Sequence, residues 1–181
     1  MPSTPRWSSS TNRKLPDRSC LAESIVPLDA AVRIRLVRHA PGAPGLCLLG
    51  MGPGWRPTRG LLKLQRLFRK HAFWARERSI GDLRQMLRGS PVVVSLWRGK
   101  RLVGFGRATS DGFSRAVLWD IVVAGDLQGH GLGRRVIEEL LHTPPVVGVE
   151  RVYLMTTKSA GFYRQLGFQD ANPQQLMVLR R

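Results

Sequence analysis

Residues 119–135 constrain the fold of this chain more than any other stretch. A β-branched apolar run stops at Gly125 and Asp126, glycines then alternate with other residues, and an amphipathic helical pattern begins at Leu132. This order predicts a strand, a tight turn and a helix. The first backbone amides of a helix lack intrahelical partners and lie at the positive end of its dipole, so we expect such a turn to bind a phosphate group.

The spacing of the glycines narrows the choice of phosphate ligand. A dinucleotide fingerprint that begins at Gly129 would require a glycine where Arg134 stands. A P-loop would require Lys and then Ser or Thr after Gly133, and two arginines follow it instead. The sequence Gln-Gly-His-Gly-Leu-Gly at 128–133, hereafter the glycine turn, therefore fits neither motif. The alternative to phosphate binding is that this glycine-rich turn only links a strand to a helix and binds no ligand.

Cysteine usage and hydropathy indicate the class of protein. Cys20 and Cys47 are far apart and form no Cys-x-x-Cys arrangement, so the sequence indicates neither a disulfide framework nor a zinc site. No apolar run approaches the roughly 20 residues that a membrane span needs. With 181 residues the chain has room for one well-packed domain. We therefore predict a soluble, cytoplasmic protein with one folded domain and no metal.

The positive charge is concentrated before the glycine turn. The formal net charge is +17, and the segment 56–101 holds an excess of 11 positive charges. Clustered Lys and Arg supply the phosphate-neutralising part of nucleic-acid binding, so contact with nucleic acid or with an acidic protein is one interpretation. A solvated basic face that attracts a polyanionic cofactor is the other.

The first 30 residues are predicted to be a disordered tail, and residues 31–181 to be the folded domain. Residues 1–16 contain no acid and no apolar periodicity, so they cannot bury enough surface to offset the entropy of ordering. Their basic, Ser-rich composition is also that of a transit peptide, although they lack a clear amphipathic face.

Apolar periodicity predicts the elements before residue 125. A strand is expected at 32–37, a short strand is possible at 46–49, and a helix capped by Thr58 should run to His71. Ser79 and Asp82 predict a capping box for a second helix that closes at Gly89. Strands at 92–97 and 102–108 should form a hairpin with a Gly-first, type II′ turn, followed by a strand at 116–123.

The remaining elements follow the glycine turn. A helix should end near His142, and a strand at 152–156 should pair in parallel with the strand at 116–123 because a crossover helix separates them. Ser159 is a candidate cap for a last helix, and Gly167 is suited to its left-handed C-terminus. A final strand is predicted at 175–179.

This order of elements resembles the GNAT acetyltransferase superfamily over residues 32–179. The glycine turn matches the Gln/Arg-x-x-Gly-x-Gly/Ala pattern that binds the pyrophosphate of acetyl-CoA, and residues 162–168 match the Phe-Tyr-x-x-Leu-Gly-Phe segment that closes the cofactor site. Residues 110–112 and 118–123 further resemble the cyanobacterial and plant-plastid branch, which includes enzymes similar to serotonin N-acetyltransferase. The resemblance implies an α+β fold with a mixed, mostly antiparallel, twisted sheet flanked by helices.

The resemblance also implies where acetyl-CoA binds. The strands on either side of the glycine turn should splay apart and leave backbone groups free for the pantetheine arm, while the turn amides hold the pyrophosphate. The implied cofactor-binding residues are Ile121, Val122, Val123, Gln128, Gly129, His130, Gly131, Leu132, Gly133 and Arg134. Arg135 is an alternative cationic contact to Arg134, and Lys158 is a weaker candidate of the same kind.

Two residues are implied for catalysis. An alkylammonium with a pKa of roughly 10.4 must lose a proton before it attacks a thioester, which makes Asp120 the candidate general base or substrate anchor, with a structural carboxylate as the alternative. Tyr163 is the candidate proton donor to the departing thiolate. His130 has a suitable pKa but should face solvent. Trp97 and Trp119 are core residues or walls against which an indole could stack.

Two functions are therefore weighed. The first is an acetyl-CoA-dependent N-acetyltransferase whose acceptor is an arylalkylamine, a protein lysine or an N-terminus. The second is a nucleic-acid- or ribosome-associated protein on the same scaffold. Steep loss of affinity with salt would indicate the second, and turnover would indicate the first.

Overall fold

A six-stranded sheet organises the part of the chain that the computed structural model describes, namely residues 23–27, 33–47, 59–171 and 174–179. Its strands lie side by side in chain order and are antiparallel, except that the last two are parallel. They are β1 Glu23–Pro27, β2 Arg33–His39, β3 Val92–Arg98, β4 Arg101–Ser110, β5 Arg115–Val123 and β6 Arg151–Leu154. The predicted α+β class with a mixed, mostly antiparallel sheet is confirmed.

Six helices accompany the sheet within the described ranges. They are α1 Pro44–Cys47, α2 Gly60–His71, α3 Ile80–Arg88, α4 Leu132–Leu141, α5 Pro144–Val147 and α6 Ala160–Arg164. Short 3-10 turns lie at Phe73–Ala75 and Gly125–Leu127. No helix among the described residues has the length and apolar character needed to cross a membrane.

Local sequence signals explain several element ends. Ser79 and Asp82 form the predicted capping box, in which each side chain accepts from the backbone amide of the other. Gly99 is left-handed at φ +56°, as the first central residue of a type II′ turn requires. Gly167 is left-handed at φ +89° after α6. Ser159 precedes α6 as predicted, but its side chain does not cap the helix.

The prediction that residues 1–30 are disordered is wrong for β1. Residues Glu23–Pro27 pair antiparallel with β2, from Glu23 opposite Val37 to Pro27 opposite Arg33. The ladder covers what would otherwise be an open edge of the sheet, and the proline lies at the strand end where edge strands tolerate it. Residues 1–22 and 28–30 lie outside the described residues.

Two other predicted strands are absent from the described residues. At 46–49 the chain instead forms the end of α1, where Leu46 is fully buried, and residues 48 and 49 lie outside the described part. Residues 174–179 pair with no strand in the structure, and their four large apolar side chains are exposed. A short apolar run becomes a strand only where a neighbouring edge supplies hydrogen bonds. The predicted cap Thr58 is outside the described residues.

The sheet has two covered faces. The Phe105 ring of β4 packs edge to face on Phe68 of α2, with ring centroids 5.5 Å apart. The next residue is Gly106, where a Cβ atom would lie 2.5 Å from Val136 of α4. Since neighbouring residues of a strand point to opposite faces, α2 covers one face and α4 the other.

A buried polar chain fixes the protonation of His39 in this core. The Trp97 indole Nε1 donates to Ser95 Oγ at 2.8 Å, and Ser95 Oγ lies 2.7 Å from His39 Nε2. An indole can only donate, so the hydroxyl proton is free to bond to a neutral imidazole. Burial lowers the pKa of His39 from 6.5 to about 4.

We expect the low pKa of His39 to make the fold acid-sensitive. Between pH 6.5 and about 4 the unfolded chain takes up a proton that the folded His39 does not, so the free energy of unfolding falls in this window. The loss of unfolding free energy should be on the order of 2 kcal/mol. This is less than the full pKa shift would give, because the His39 ring is only partly shielded from solvent. Urea unfolding of wild type and His39→Gln at pH 7 and pH 4.5 measures it. An equal pH dependence in both proteins would contradict the assignment.

Candidate active site

A split in the sheet opens between β5 and β6. Their pairing ends with Leu118 opposite Leu154, while β5 continues to Val123. A cleft of about 1240 Å³ reaches the start of this split, where Trp119 and Met155 follow the last paired residues, and is otherwise lined mainly by β6, α6 and the last described segment. Ile121, Val122 and Val123 lie in the part of β5 that β6 does not pair with, as predicted for the pantetheine-binding residues.

The glycine turn leads directly into α4. Gly129 and Gly131 are left-handed at φ +79° and +74°, and nothing lies within 4 Å of a Cβ atom built on either. Gly131 precedes the first helical residue, and the first backbone bond into the turn is from Arg135 N to Gly131 O. The preceding amides of α4 are therefore free of helical partners, and no acidic residue lies in the first turn. These features fit a pyrophosphate.

Gly133 has a second role that sequence reasoning did not assign. A Cβ atom at this position would lie 3.3 Å from the Phe162 ring of α6. The start of α4 and the segment 162–168 therefore pack closely against each other. The absence of a side chain at Gly133 lets the two sequence motifs approach in space, so a side chain here would press on the Phe162 ring.

The side chains around the turn differ in what they contact. Gln128 Nε2 donates to the Val123 carbonyl at 3.1 Å, which fixes the turn against the end of β5. His130 is exposed, and its Nδ1 lies 2.9 Å from the Gln128 carbonyl oxygen. Arg134 is exposed, 4.0 Å from Glu138. The Nε atom of Arg135 is buried and has no hydrogen-bond partner among the described residues.

Tyr163 lies in the cleft beside the split. Its ring packs edge to face on Phe162 and Phe168, at centroid distances of 5.1 and 5.9 Å. Burial raises the pKa of Tyr163 above its ordinary value of 10. The phenol therefore keeps its proton at neutral pH, which suits a proton donor.

Asp120 is held by three donors. Arg107 Nε and Arg78 Nη1 donate to Oδ2 at 2.8 and 3.0 Å, and Trp74 Nε1 donates to Oδ1 at 3.0 Å. Burial raises the pKa of the Asp120 carboxyl, but the charges and hydrogen bonds of Arg107 and Arg78 outweigh it and hold the pKa below its usual range. These four residues are called the Asp120 cluster.

The backbone at Asp120 is unusual as well. The residue is left-handed at φ +52° within a strand, and the pairing of β4 and β5 shifts register at this point. Phe105 pairs with Val122 while Arg107 pairs with Trp119, so Asp120 and Ile121 together oppose Gly106. This is a β-bulge, which reorients side chains next to the split. The ion pairs offset the cost of the left-handed backbone.

Comparison with known proteins agrees with this geometry. The family model for the acetyltransferase (GNAT) family matches residues 61–168. The chain belongs to the GNAT family. An uncharacterized N-acetyltransferase ycf52 of Pyropia yezoensis is 35% identical over 97 residues, which are 51% of this chain and 56% of that protein.

Further relatives place the chain in the plastid-type branch of GNAT proteins. The chloroplastic serotonin N-acetyltransferase 2 of Oryza sativa is 46% identical over 69 residues, which are 38% of this chain and 34% of that protein. A GNAT structure from Xanthomonas campestris, described as a putative acetyltransferase, has a TM-score of 0.58 at 25% identity and covers 66% of this chain and 84% of its own. The chain spans about half the length of the first relatives it matches. The predicted branch is confirmed.

The tryptophans that sequence analysis singled out have different environments in this GNAT domain. Trp97 is fully buried in the core. Trp119 lines the cleft, donates to Thr109 Oγ1 at 2.8 Å and carries the Arg107 guanidinium 5.5 Å above its ring. Lys158 is exposed. Among the described residues, no group of three or more His, Cys, Asp or Glu side chains could hold a metal ion.

Sequence reasoning missed the partners of Asp120. Trp74, Arg78 and Arg107 belong to no recognised motif and lie on three different segments. One signal was present, because Arg107 interrupts the apolar run of β4 and a cation in a buried strand requires a carboxylate. Asp120, the acid in the neighbouring strand, is that carboxylate.

Proposed function

We propose that this protein is an acetyl-CoA-dependent N-acetyltransferase that acetylates a primary amine, with an arylalkylamine as the favoured acceptor. The observation that carries the proposal is the packing of the free amides at the start of α4 against the helix that presents Tyr163 to the split. A turn that only linked a strand to a helix would need neither the left-handed open glycines nor the neighbouring phenol.

Different groups of residues bind acetyl-CoA and protonate the leaving thiolate. Acetyl-CoA supplies the acetyl group as a reactive thioester. The amides of residues 129–134 and the Arg135 guanidinium hold its pyrophosphate, and the backbone of Ile121, Val122 and Val123 holds the pantetheine arm as an added strand would. The Tyr163 phenol donates its proton to the thiolate that leaves.

The acceptor amine must arrive without its extra proton. Asp120 is a weak base because its carboxylate is already bonded to two arginines and an indole. Arg78 and Arg107 outnumber this single carboxylate, and a nearby excess of positive charge lowers the pKa of an ammonium group. The amine therefore releases its extra proton to solvent, and the free base attacks the thioester carbonyl. The C–S bond then breaks, and the nitrogen loses one further proton to solvent as the neutral amide forms.

Two observations support an arylalkylamine as the acceptor. Trp74 of the Asp120 cluster and the adjoining Phe73 are exposed aromatic residues. A relative that matches part of this chain is described as a serotonin N-acetyltransferase. Protein lysines and N-termini are the competing acceptors. A cytoplasmic location stays a prediction, and the rice relative is described as chloroplastic.

A panel of acceptors tests the proposal. Thiol release from acetyl-CoA is measured with tryptamine, serotonin, spermidine and a lysine peptide. We expect turnover with kcat/KM highest for the two arylalkylamines. Tight binding of acetyl-CoA without turnover on any amine would contradict the enzymatic function, and a preference for the peptide would reassign the acceptor.

A basic surface supports a second candidate function, nucleic-acid binding. It is formed by α2 and the β3–β4 turn, because Lys63 Nζ donates to the Lys100 carbonyl at 2.6 Å. Burial and the charges of Lys100 and Arg66 lower the pKa of Lys63, which shows that cations crowd here. The exposed members of the surface are Arg59, Arg66, Arg69, Lys70, Arg98, Lys100 and Arg101.

If this basic surface binds nucleic acid, affinity for a single-stranded RNA oligonucleotide should fall steeply with salt. Removing two cations in Arg66→Ser/Lys70→Ser should lower the slope of log affinity against log salt by roughly 1.4, at about 0.7 per phosphate contact. The control Arg88→Ser/Lys158→Ser removes the same charge from exposed residues outside the surface. Equal slopes in both variants would contradict a specific surface.

A further inference from the structure

Trp74 of the Asp120 cluster and its chain neighbour Phe73 are two large aromatic side chains that lie exposed. Phe73 and Trp74 are 58% and 48% exposed, and their rings meet edge to face at 5.1 Å and 90°. The chain buries Phe68, Phe105 and Trp97 almost completely. An exposed pair that is packed within itself and located beside a functional cleft is a candidate contact surface for a ligand.

The orientation of Trp74 is fixed from one edge. Its Nε1 donates to Asp120 Oδ1 at 3.0 Å, and Arg78 and Arg107 hold the same carboxylate from the other oxygen. A surface indole without such a bond would sample several rotamers. The bond holds the ring edge against the sheet, while nearly half of the side chain stays open to solvent.

The Asp120 cluster lies where an acceptor would approach the split. Asp120 is two residues beyond Leu118, the last residue of β5 that pairs with β6. Arg107 of the cluster lies 5.5 Å above the ring of Trp119, and Trp119 lines the cleft together with Tyr163. An acceptor that enters the cleft beside Trp119 therefore comes close to the Asp120 cluster.

We propose that Asp120 is a positioning residue that holds the indole of Trp74 as one wall of the acceptor site, and that this wall selects amines with a flat aromatic group. The proposal rests on the acetyltransferase function proposed above. Aromatic stacking on the indole favours an aryl group by about 2- to 13-fold in affinity beyond the effect of the area it buries. The excess positive charge of Arg78 and Arg107 disfavours acceptors that carry a second ammonium group, such as polyamines.

Kinetics of Trp74 variants with two acceptors test the wall. With tryptamine, Trp74→Ala should raise KM at least about tenfold, and with the aliphatic hexylamine less than about threefold, because only the aryl group loses its stacking partner. Trp74→Phe keeps a ring but loses the hydrogen bond to Asp120, so its KM for tryptamine should lie between the values of wild type and Trp74→Ala. The control Trp97→Phe removes another indole bond, that to Ser95, in the core. It should lower Tm and leave the KM ratio of the two amines unchanged.

The positioning role of Asp120 is tested by a split between KM and kcat. Asp120→Asn should raise the KM for tryptamine as Trp74→Phe does and leave the acidic limb of the pH profile of kcat in place. A fall in kcat of about 10²-fold or more at unchanged KM, with loss of that limb, would overturn the proposal and identify Asp120 as the general base. If Asp120→Asn does not fold, Trp74→Phe removes the same hydrogen bond from its other end, and an unchanged KM for tryptamine in that variant would overturn the positioning role.

Binding without turnover separates this inference from the proposed function. If wild type acetylates no amine, the proposed function fails, and calorimetric titration of tryptamine into the CoA complex then tests the wall alone. Binding weakened about tenfold in Trp74→Ala would support the subsite. Equal affinity in wild type and Trp74→Ala, or equal KM ratios for the two amines, would overturn it.

Discussion

Tyr163→Phe should lower kcat by roughly 10²- to 10⁴-fold, the loss typical of a removed general acid. The substitution keeps the ring that packs on Phe162 and Phe168, so Tm and the affinity for acetyl-CoA should remain close to wild type. Burial raises the pKa of this phenol, and it therefore remains protonated over the whole pH range in which the protein would be assayed. The measurement is kcat at saturating acceptor and acetyl-CoA.

The other tyrosine of the chain provides a matched control. Tyr153 lines the same cleft from β6, and hydrogen bonding from Arg151 lowers the pKa of its phenol. Its hydroxyl is thus engaged by arginine, and Tyr153→Phe should change kcat less than about threefold. Equal kcat for wild type and Tyr163→Phe, where chemistry limits the rate, would mean that solvent protonates the thiolate and that Tyr163 is a packing residue.

Gly131→Asp should weaken acetyl-CoA binding by about tenfold or more. The new carboxylate would lie at the start of α4, where its charge opposes that of the pyrophosphate and its side chain fills the open space above the turn. Titration calorimetry measures the change in Kd. Gly133→Asp is a less specific test, because its side chain would also collide with Phe162.

Gly112→Asp separates the phosphate contact from backbone strain. Gly112 is left-handed at φ +77°, close to the +74° of Gly131, and nothing lies within 4 Å of a Cβ atom on it. Both substitutions therefore place aspartate in the same disfavoured conformation. Only Gly131→Asp should change the Kd for acetyl-CoA. An unchanged Kd in a folded Gly131→Asp variant would refute binding at the glycine turn.

Local patterns in the sequence predicted most of the scaffold. The glycine turn, the Ser79 capping box and the Gly99 hairpin each depend on a few consecutive residues, and in such cases backbone preferences decide the structure. The glycine turn also carried the resemblance to the family, because its residues match the pyrophosphate-binding pattern of GNAT acetyltransferases. The roles of Tyr163 and of residues 121–123 came from resemblance and stay predictions, supported by their location beside the split.

Features that depend on distant partners were not predictable in this way. β1 exists because β2 offers an edge, and residues 174–179 form no strand although they have a similar apolar pattern. The sequence left Asp120 as a candidate general base, substrate anchor or structural carboxylate, and only the fold brings Arg78, Arg107 and Trp74 to it. Whether a carboxylate acts as a catalytic base or as a structural group depends on such partners, because they set the pKa of the carboxylate.

Transfer of a labelled acetyl group tests the central claim most directly. Acetyl-CoA labelled in the acetyl carbon is incubated with the protein and tryptamine, and the amine product and free thiol are quantified together. We expect the label to appear as N-acetyltryptamine, with one thiol released for each acetyl group transferred. Tyr163→Phe should slow amide formation and thiol release equally. Label that stays on CoA, although the protein binds it and tryptamine is saturating, would contradict the account.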